Sequence, residues 1–170
     1  RADAAAICAV YRPIVNDTVI SFEETAPDAA EIGRRMLARP RLPWLVADDG
    51  GRVIGYAYAS RHQRRAAYRW SAESSVYLDP EYRSRGVGRL LYERVIVEVR
   101  ELGHVSLFAG ITLPNAASVA LHEAVGFEAL GVFRRAGYKH GAWHDVGWWR
   151  RSLRDPPVPP PEPRQWSPTD

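Results

Sequence analysis

Residues 70–91 read WSAESSVYLDPEYRSRGVGRLL. The first part, Trp70–Leu78, alternates as a strand, and Asp79-Pro80 ends it. The second part turns basic and glycine-rich. It then enters the longest helical pattern of the chain, Gly86–Leu102, where Val87, Leu90, Leu91, Val95 and Val99 form one apolar stripe and Gly103 is placed to cap it. Gly86 and Gly88 lack a Cβ, so a ligand can approach the backbone here. The first N–H groups of a helix have no intrahelical partner and carry the positive end of its dipole. Arg83, Arg85 and Arg89 add full charges. Such a turn suits a diphosphate; the plain alternative is a solvated basic turn. It is not a P-loop, because GK[ST] is absent, nor a dinucleotide fingerprint, because the third glycine is missing.

Glu73 stands in the middle of the preceding strand, on the face that carries Ser71, Ser75 and Tyr77. A carboxylate there is costly to bury without partners, and an apolar neighbourhood raises its pKa, which suits a general base. The competing reading is a structural ion pair with a nearby arginine.

Working outward, Asp3–Val10 reads as a helix with Asp3 at its N-cap, and Thr18–Phe22 as a short strand or extended loop. Pro27 and Asp28 open a second helix, AAEIGRRMLAR, which Pro40 stops. Trp44–Ala47 and Val53–Ala59 form a hairpin across the DDGG turn. After the central helix come a strand at Val105–Ile111, a helix AASVALHEAV capped by Asn115, and strands at Phe127–Arg134 and Asp145–Leu153. His122 lies two turns from Asn115 on the same helix face. A histidine among Val119, Leu121 and Val125 fits a core position as well as a catalytic one. The element order is that of an α/β or α+β domain with a mixed sheet.

The chain has 170 residues, 46% hydrophobic and 25% charged, which fits one globular domain. A formal charge of +3 is too mild to argue for nucleic acid, and no apolar run reaches membrane-span length. Cys8 is the sole cysteine, which excludes an internal disulfide and fits a cytoplasmic setting; zinc-ligand spacings are absent. The positive charge is nearly all arginine, clustered at 61–69 and 83–89, as suits small anions. The chain opens at Arg1 with no methionine, so residues are expected to be missing there. After Asp155 the sequence runs PPVPPPEPRQWSPTD, an extended tail that Trp166 could anchor.

The strand SSVYL, the turn RSRGVG, the strand VSLFAGI and NAASVALHEAVGF resemble, in this order, the GCN5-related N-acetyltransferase (GNAT) superfamily. PWLVA, GYAYA, AYRWSAESSVY, LHEAVGF and AGYKHGAWHDVGWW narrow the resemblance to the phosphinothricin N-acetyltransferase family. It implies the GNAT fold, a mostly antiparallel mixed sheet flanked by helices, splayed in a V between the strands at 70–78 and 105–111. It implies a domain over 1–154 with a truncated first strand, and a proline-rich tail over 155–170. The activity implied is acetyl transfer from acetyl-CoA to the α-amine of phosphinothricin or a similar glutamate-like analogue. Methionine sulfoximine, ordinary L-amino acids or a non-catalytic acetyl-CoA-binding role stand as alternatives.

Carried over by motif, Glu73 takes the general base position and His122 that of an acid or relay. The co-substrate is expected along Val76, Tyr77 and Leu78, on Ser84, Arg85, Gly86, Val87, Gly88 and Arg89, and near Asn115. Arg85 and Arg89 are expected toward its phosphates, with Arg83 solvated, and a backbone N–H near Val76 is placed to meet the oxyanion. Arg65, Tyr68 and Phe22 are expected at the small-molecule amine. A homodimer is expected through the hairpin around YKHGAWHDVGWW, with His140 and His144 structural. No metal, nucleic acid or membrane partner is expected.

Overall fold

The structure, a computed structural model, describes residues 3–168. Six strands follow the order β1-β2-β3-β4-β6-β5: β1 Trp44–Asp49, β2 Arg52–Arg61, β3 Ser71–Leu78, β4 Ser106–Leu113, β5 Glu128–Lys139 and β6 Ala142–Ser152. All neighbours are antiparallel except β3 and β4. Those two run parallel and pair only over Ser71–Glu73 with Ser106–Phe108. Beyond Glu73 they part, which is the expected V-shaped splay.

The helices are α1 Ala4–Asp17, α2 Ala29–Met36, α3 Val87–Glu101 and α4 Ala116–Ala124. One sheet face packs Ala57, Ala72, Leu107 and Ala109 under α3, which buries Leu91, Tyr92, Val95, Ile96 and Val99. The other face carries α1 and α2, with Ile7, Tyr11, Ile14, Val15 and Ile32 closing over Tyr56. Among the described residues no helix is long and apolar enough to cross a membrane.

Several expectations shift in detail. α1 runs on past Val10 through Pro13. Pro13 is exposed, so water replaces the backbone bond it lacks, while Ile14 and Val15 drive the next turn into the core. Asp3 makes no side-chain cap. α2 stops at Met36, before the expected Arg39. Leu90 is exposed, and Tyr92 and Ile96 complete the buried stripe in its place. The last hairpin is longer than expected on both strands: β5 reaches Lys139 and β6 starts at Ala142. His140 (φ 51°) and Gly141 (φ 78°) make a two-residue turn of the left-handed kind that matches strand twist. A bulge between Phe133 and Gly137 interrupts the apolar alternation there, which is why the sequence pattern faded early.

Residues 155–168 lie extended on the surface. Arg164 N–H donates to Leu102 O (2.7 Å), Trp166 N–H to Arg41 O (2.9 Å) and Trp166 Nε1–H to Glu98 Oε2 (3.1 Å). Trp70 Nε1–H reaches back to Pro161 O at 2.7 Å, and Arg69 pairs with Glu162.

Candidate active site

Where β3 and β4 part, the sheet opens into a cavity of about 440 Å³. One end is polar: Arg83, Ser84, Gly86, Gly88 and Arg89 surround the N-terminus of α3. The helix starts cleanly because Gly86 takes a left-handed φ of 82° at the N-cap, and a Cβ at Gly88 would press on Leu78 Cδ1 at 3.1 Å. The walls are apolar, formed by Val76 and Leu78 of β3, Ala117, Ala120 and Leu121 of α4, and Ile14 and Ile20 from the α1 side. Asn115 joins the wall and caps α4, accepting from Ser118 N–H at 3.1 Å. A cationic end and an apolar length fit an elongated anionic ligand with a hydrophobic arm.

The expected division of the arginines changes. Arg83, expected in solvent, lines the cavity beside Arg89. Arg85 lies instead over the Tyr82 ring, 5.2 Å from its centroid. Val87 sits half-buried on the first turn of α3, off the cavity wall.

Glu73 stands at the fork, the last residue of β3 paired with β4. No arginine among the described residues holds it. Its Oε1 is 2.8 Å from Nδ1 of His62, the residue after β2. Burial pushes the Glu73 carboxyl above its ordinary range, against the hydrogen bond and charge of His62. Tyr68 brings its ring edge to His62, with centroids 5.9 Å apart. Arg65 opens the same turn, fully exposed, with no ion pair or hydrogen bond from its guanidinium among the described residues.

Phe22 is not brought to this group. It lies over Gly137 of β5, where a Cβ would overlap its ring, and 6.3 Å from the His144 ring. His144 Nε2–H donates to Lys139 O at 2.9 Å, and His140 is exposed at the hairpin turn.

His122 is buried on α4 and lines the narrow throat of the splay with Ser74, Thr112 and Ser118. Nδ1–H donates to Ser118 O at 2.7 Å, which leaves Nε2 to accept from Tyr92 O–H at 2.8 Å. Tyr92 O in turn lies 2.7 Å from Ser74 Oγ. Burial lowers the His122 pKa, so the ring is neutral.

Sequence reasoning missed His62, Tyr92 and Ser74. His62 becomes visible only once β2 and β3 are aligned: Ser60 faces Glu73, so a residue just past the strand end can reach back to the carboxylate. It also missed Lys139, whose buried Nζ donates to Val15 O (2.6 Å) and Ser21 O (2.7 Å) and ties the hairpin to the loop after α1.

This arrangement has relatives. The acetyltransferase (GNAT) domain family matches residues 1–148. A phosphinothricin N-acetyltransferase of Streptomyces viridochromogenes is 41% identical over 162 residues, which cover 94% of this chain and 88% of that one. An L-methionine sulfoximine/L-methionine sulfone acetyltransferase of Salmonella typhimurium is 33% identical and covers 94% of each. Among solved structures, a GNAT superfamily phosphinothricin acetyltransferase from Sinorhizobium meliloti, in complex with AcCoA, superposes with a TM-score of 0.85 at 40% identity. It covers 89% of this chain and 84% of that one.

Proposed function

Because the chain belongs to the acetyltransferase (GNAT) domain family and is an acetyl-CoA-dependent N-acetyltransferase, we propose that its acceptor is phosphinothricin or a similar glutamate-like amino acid, acetylated on the α-amine. The observation that carries this reading is Glu73. It is a carboxyl of raised pKa at the fork of the sheet, beside a cavity with one cationic end.

Acetyl-CoA supplies the activated acetyl group. The chain's own residues do the rest. Arg83, Ser84, Gly86, Gly88 and Arg89, with the α3 N-terminus, hold the co-substrate's anionic end. Val76, Tyr77 and Leu78 offer a strand edge that β4 has left, and Asn115 closes the wall. Arg85 and Val87 support the turn from outside the cavity. An ammonium is not a nucleophile, so Glu73 takes its proton, either directly or through one water. His122 holds Tyr92 against Ser74 and so fixes the throat through which the amine and the acetyl group meet. Arg65 opens the Tyr68 turn, makes no ion pair among the described residues and suits the acceptor's anionic groups. Phe22 lies over Gly137 of the β5–β6 hairpin, away from Glu73.

A thiol-release screen of acetyl-CoA against phosphinothricin, methionine sulfoximine and the common L-amino acids tests the assignment. The highest kcat/KM is expected for phosphinothricin; turnover confined to other amines refutes that substrate. The second reading, methionine sulfoximine, rests on the Salmonella relative, which aligns over 94% of both chains. A homodimer is the expected assembly, because Tyr138 and Trp143 pack together at 5.4 Å on the β5–β6 hairpin yet stay more than half exposed. Sedimentation of wild type and Trp143→Glu checks it, the variant being expected as monomer.

A further inference from the structure

The His62–Glu73 contact is not explained by packing alone. The His62 ring lies flat on Phe108, with centroids 4.2 Å apart and planes 10° apart. Its edges meet Tyr68 and Trp148, at 5.9 and 6.1 Å. Three rings from three segments fix the plane of the imidazole, with Nδ1 on its inner edge. There it meets Glu73 Oε1, at 2.8 Å. Phe108, the platform beneath the ring, is also the β4 residue paired with Glu73 in the register. The imidazole therefore spans the last rung before the strands part. Glu73 Oε2 makes no hydrogen bond among the described residues.

We propose that His62 is a positioning residue for the general base: its Nδ1–H holds Oε1 of the half-buried Glu73 carboxylate and turns Oε2 toward the acceptor amine. This rests on the reading of Glu73 as the base.

The tautomer follows from the partner. An ionised carboxylate only accepts, so Nδ1 must carry the proton whenever Glu73 is ready to act. The proton step then balances simply. The acceptor ammonium gives one proton to Glu73, and the neutral amine is left as nucleophile. His62 keeps its Nδ1–H throughout and stabilises the carboxylate again once that proton is passed to water. Burial pushes the carboxyl up; the donor from His62 opposes this. Of the groups packed on His62, Glu73 and Tyr68 are titratable. Phe108 and Trp148 are not, and the nearby Arg150 of β6 turns its Nε to Ser106 Oγ at 3.1 Å. Glu73 is thus the charged partner of the ring.

The test compares wild type, His62→Phe, His62→Asn and Glu73→Gln. Phenylalanine keeps the stack on Phe108 and removes the donor; asparagine places a donor near the position of Nδ1. Two readouts are taken. One is the pH profile of kcat/KM with acetyl-CoA and phosphinothricin. The other is the carbon-13 titration of the Glu73 side-chain carboxyl in the ligand-free protein, which needs no acceptor. His62→Phe should move the rising limb and the carboxyl titration to higher pH, with a loss of about tenfold in kcat/KM below the wild-type limb that shrinks above it. His62→Asn should restore most of both, and the KM for acetyl-CoA should not change. An unmoved carboxyl titration in His62→Phe, or equal failure of Phe and Asn at all pH values, overturns the proposal. Full activity in Glu73→Gln overturns the base itself, while the carboxyl titration still reports whether His62 governs Glu73.

Discussion

Glu73 is half-buried and His122 buried, and the pH signs of the two groups are opposite. The Glu73 carboxyl is raised in the fold, so its protonated form is the comfortable one. Its contribution to stability is complete at acid pH and is lost as pH rises through the raised value. A neutral isostere should therefore relieve the fold at pH 7 while removing the base. Glu73→Gln is expected to lose about 10²–10⁴-fold in kcat and to unfold at the same temperature or a higher one. Full activity, or a clear drop in Tm, would show that Glu73 serves structure instead. His122 runs the other way. Its pKa is lowered, so the stability it adds is complete above the ordinary histidine range and is lost as pH falls through the depressed value. His122→Ala removes the nitrogen acceptor of the buried Tyr92 O–H and leaves it only Ser74 Oγ, at a cost of about 1–3 kcal/mol, read by urea unfolding at pH 7.5.

At the scale of elements, the α1–α2 connection is pinned at three points. Tyr11 O–H donates to Glu23 Oε1 at 2.9 Å, Arg35 grips both Glu23 oxygens, and Lys139 crosses from β5 to Val15 O and Ser21 O. The last is the least replaceable, because it supplies two buried carbonyls at once. Lys139→Met should lower the unfolding free energy by about 1–3 kcal/mol. It should also speed hydrogen exchange over residues 18–23 while β3 and β4 stay protected. Exchange confined to global unfolding would refute the clasp.

What the sequence could and could not show divides along the same line. Local patterns were legible: the strand carrying Glu73, the Arg-Gly turn, the Asn115 cap and the DDGG hairpin each follow from a few adjacent residues. The site's partners were not. His62 to Glu73, Ser74 to Tyr92 and Lys139 to Ser21 are joined by pairing register and by packing between segments far apart in the chain. Nothing in the local pattern around any of those residues encodes the contact. Arg83 and Arg85 show the limit most plainly. Both stand in one basic turn, yet the left-handed Ser84 (φ 60°) between them sends one side chain to the cavity and the other to Tyr82.

On the scale of the whole molecule, the proline-rich segment acts as a strap. Prolines hold it extended before it docks, so little chain entropy is lost on docking. It then fastens three places that are far apart in sequence: the end of α3 through Glu98 and Leu102, the approach to β1 through Arg41, and the turn into β3 through Arg69 and Trp70. The third place matters for function. The turn at 65–70 carries Arg65 and Tyr68, and Tyr68 touches His62. No described residue beyond Leu121 lines the cavity at the α3 N-terminus. Ending the chain at Arg154 should therefore act unevenly. Stability should fall on the order of 1–3 kcal/mol with the lost hydrogen bonds. The KM for the acceptor should rise several-fold as Tyr68 and Arg65 loosen, while the KM for acetyl-CoA stays within about twofold. Trp70→Phe, which removes the donor to Pro161 O and keeps a ring beneath Arg69, should show the same asymmetry in smaller measure. Equal rises in both constants would mean that the strap supports the fold at large, and unchanged constants would mean that it does not reach the site.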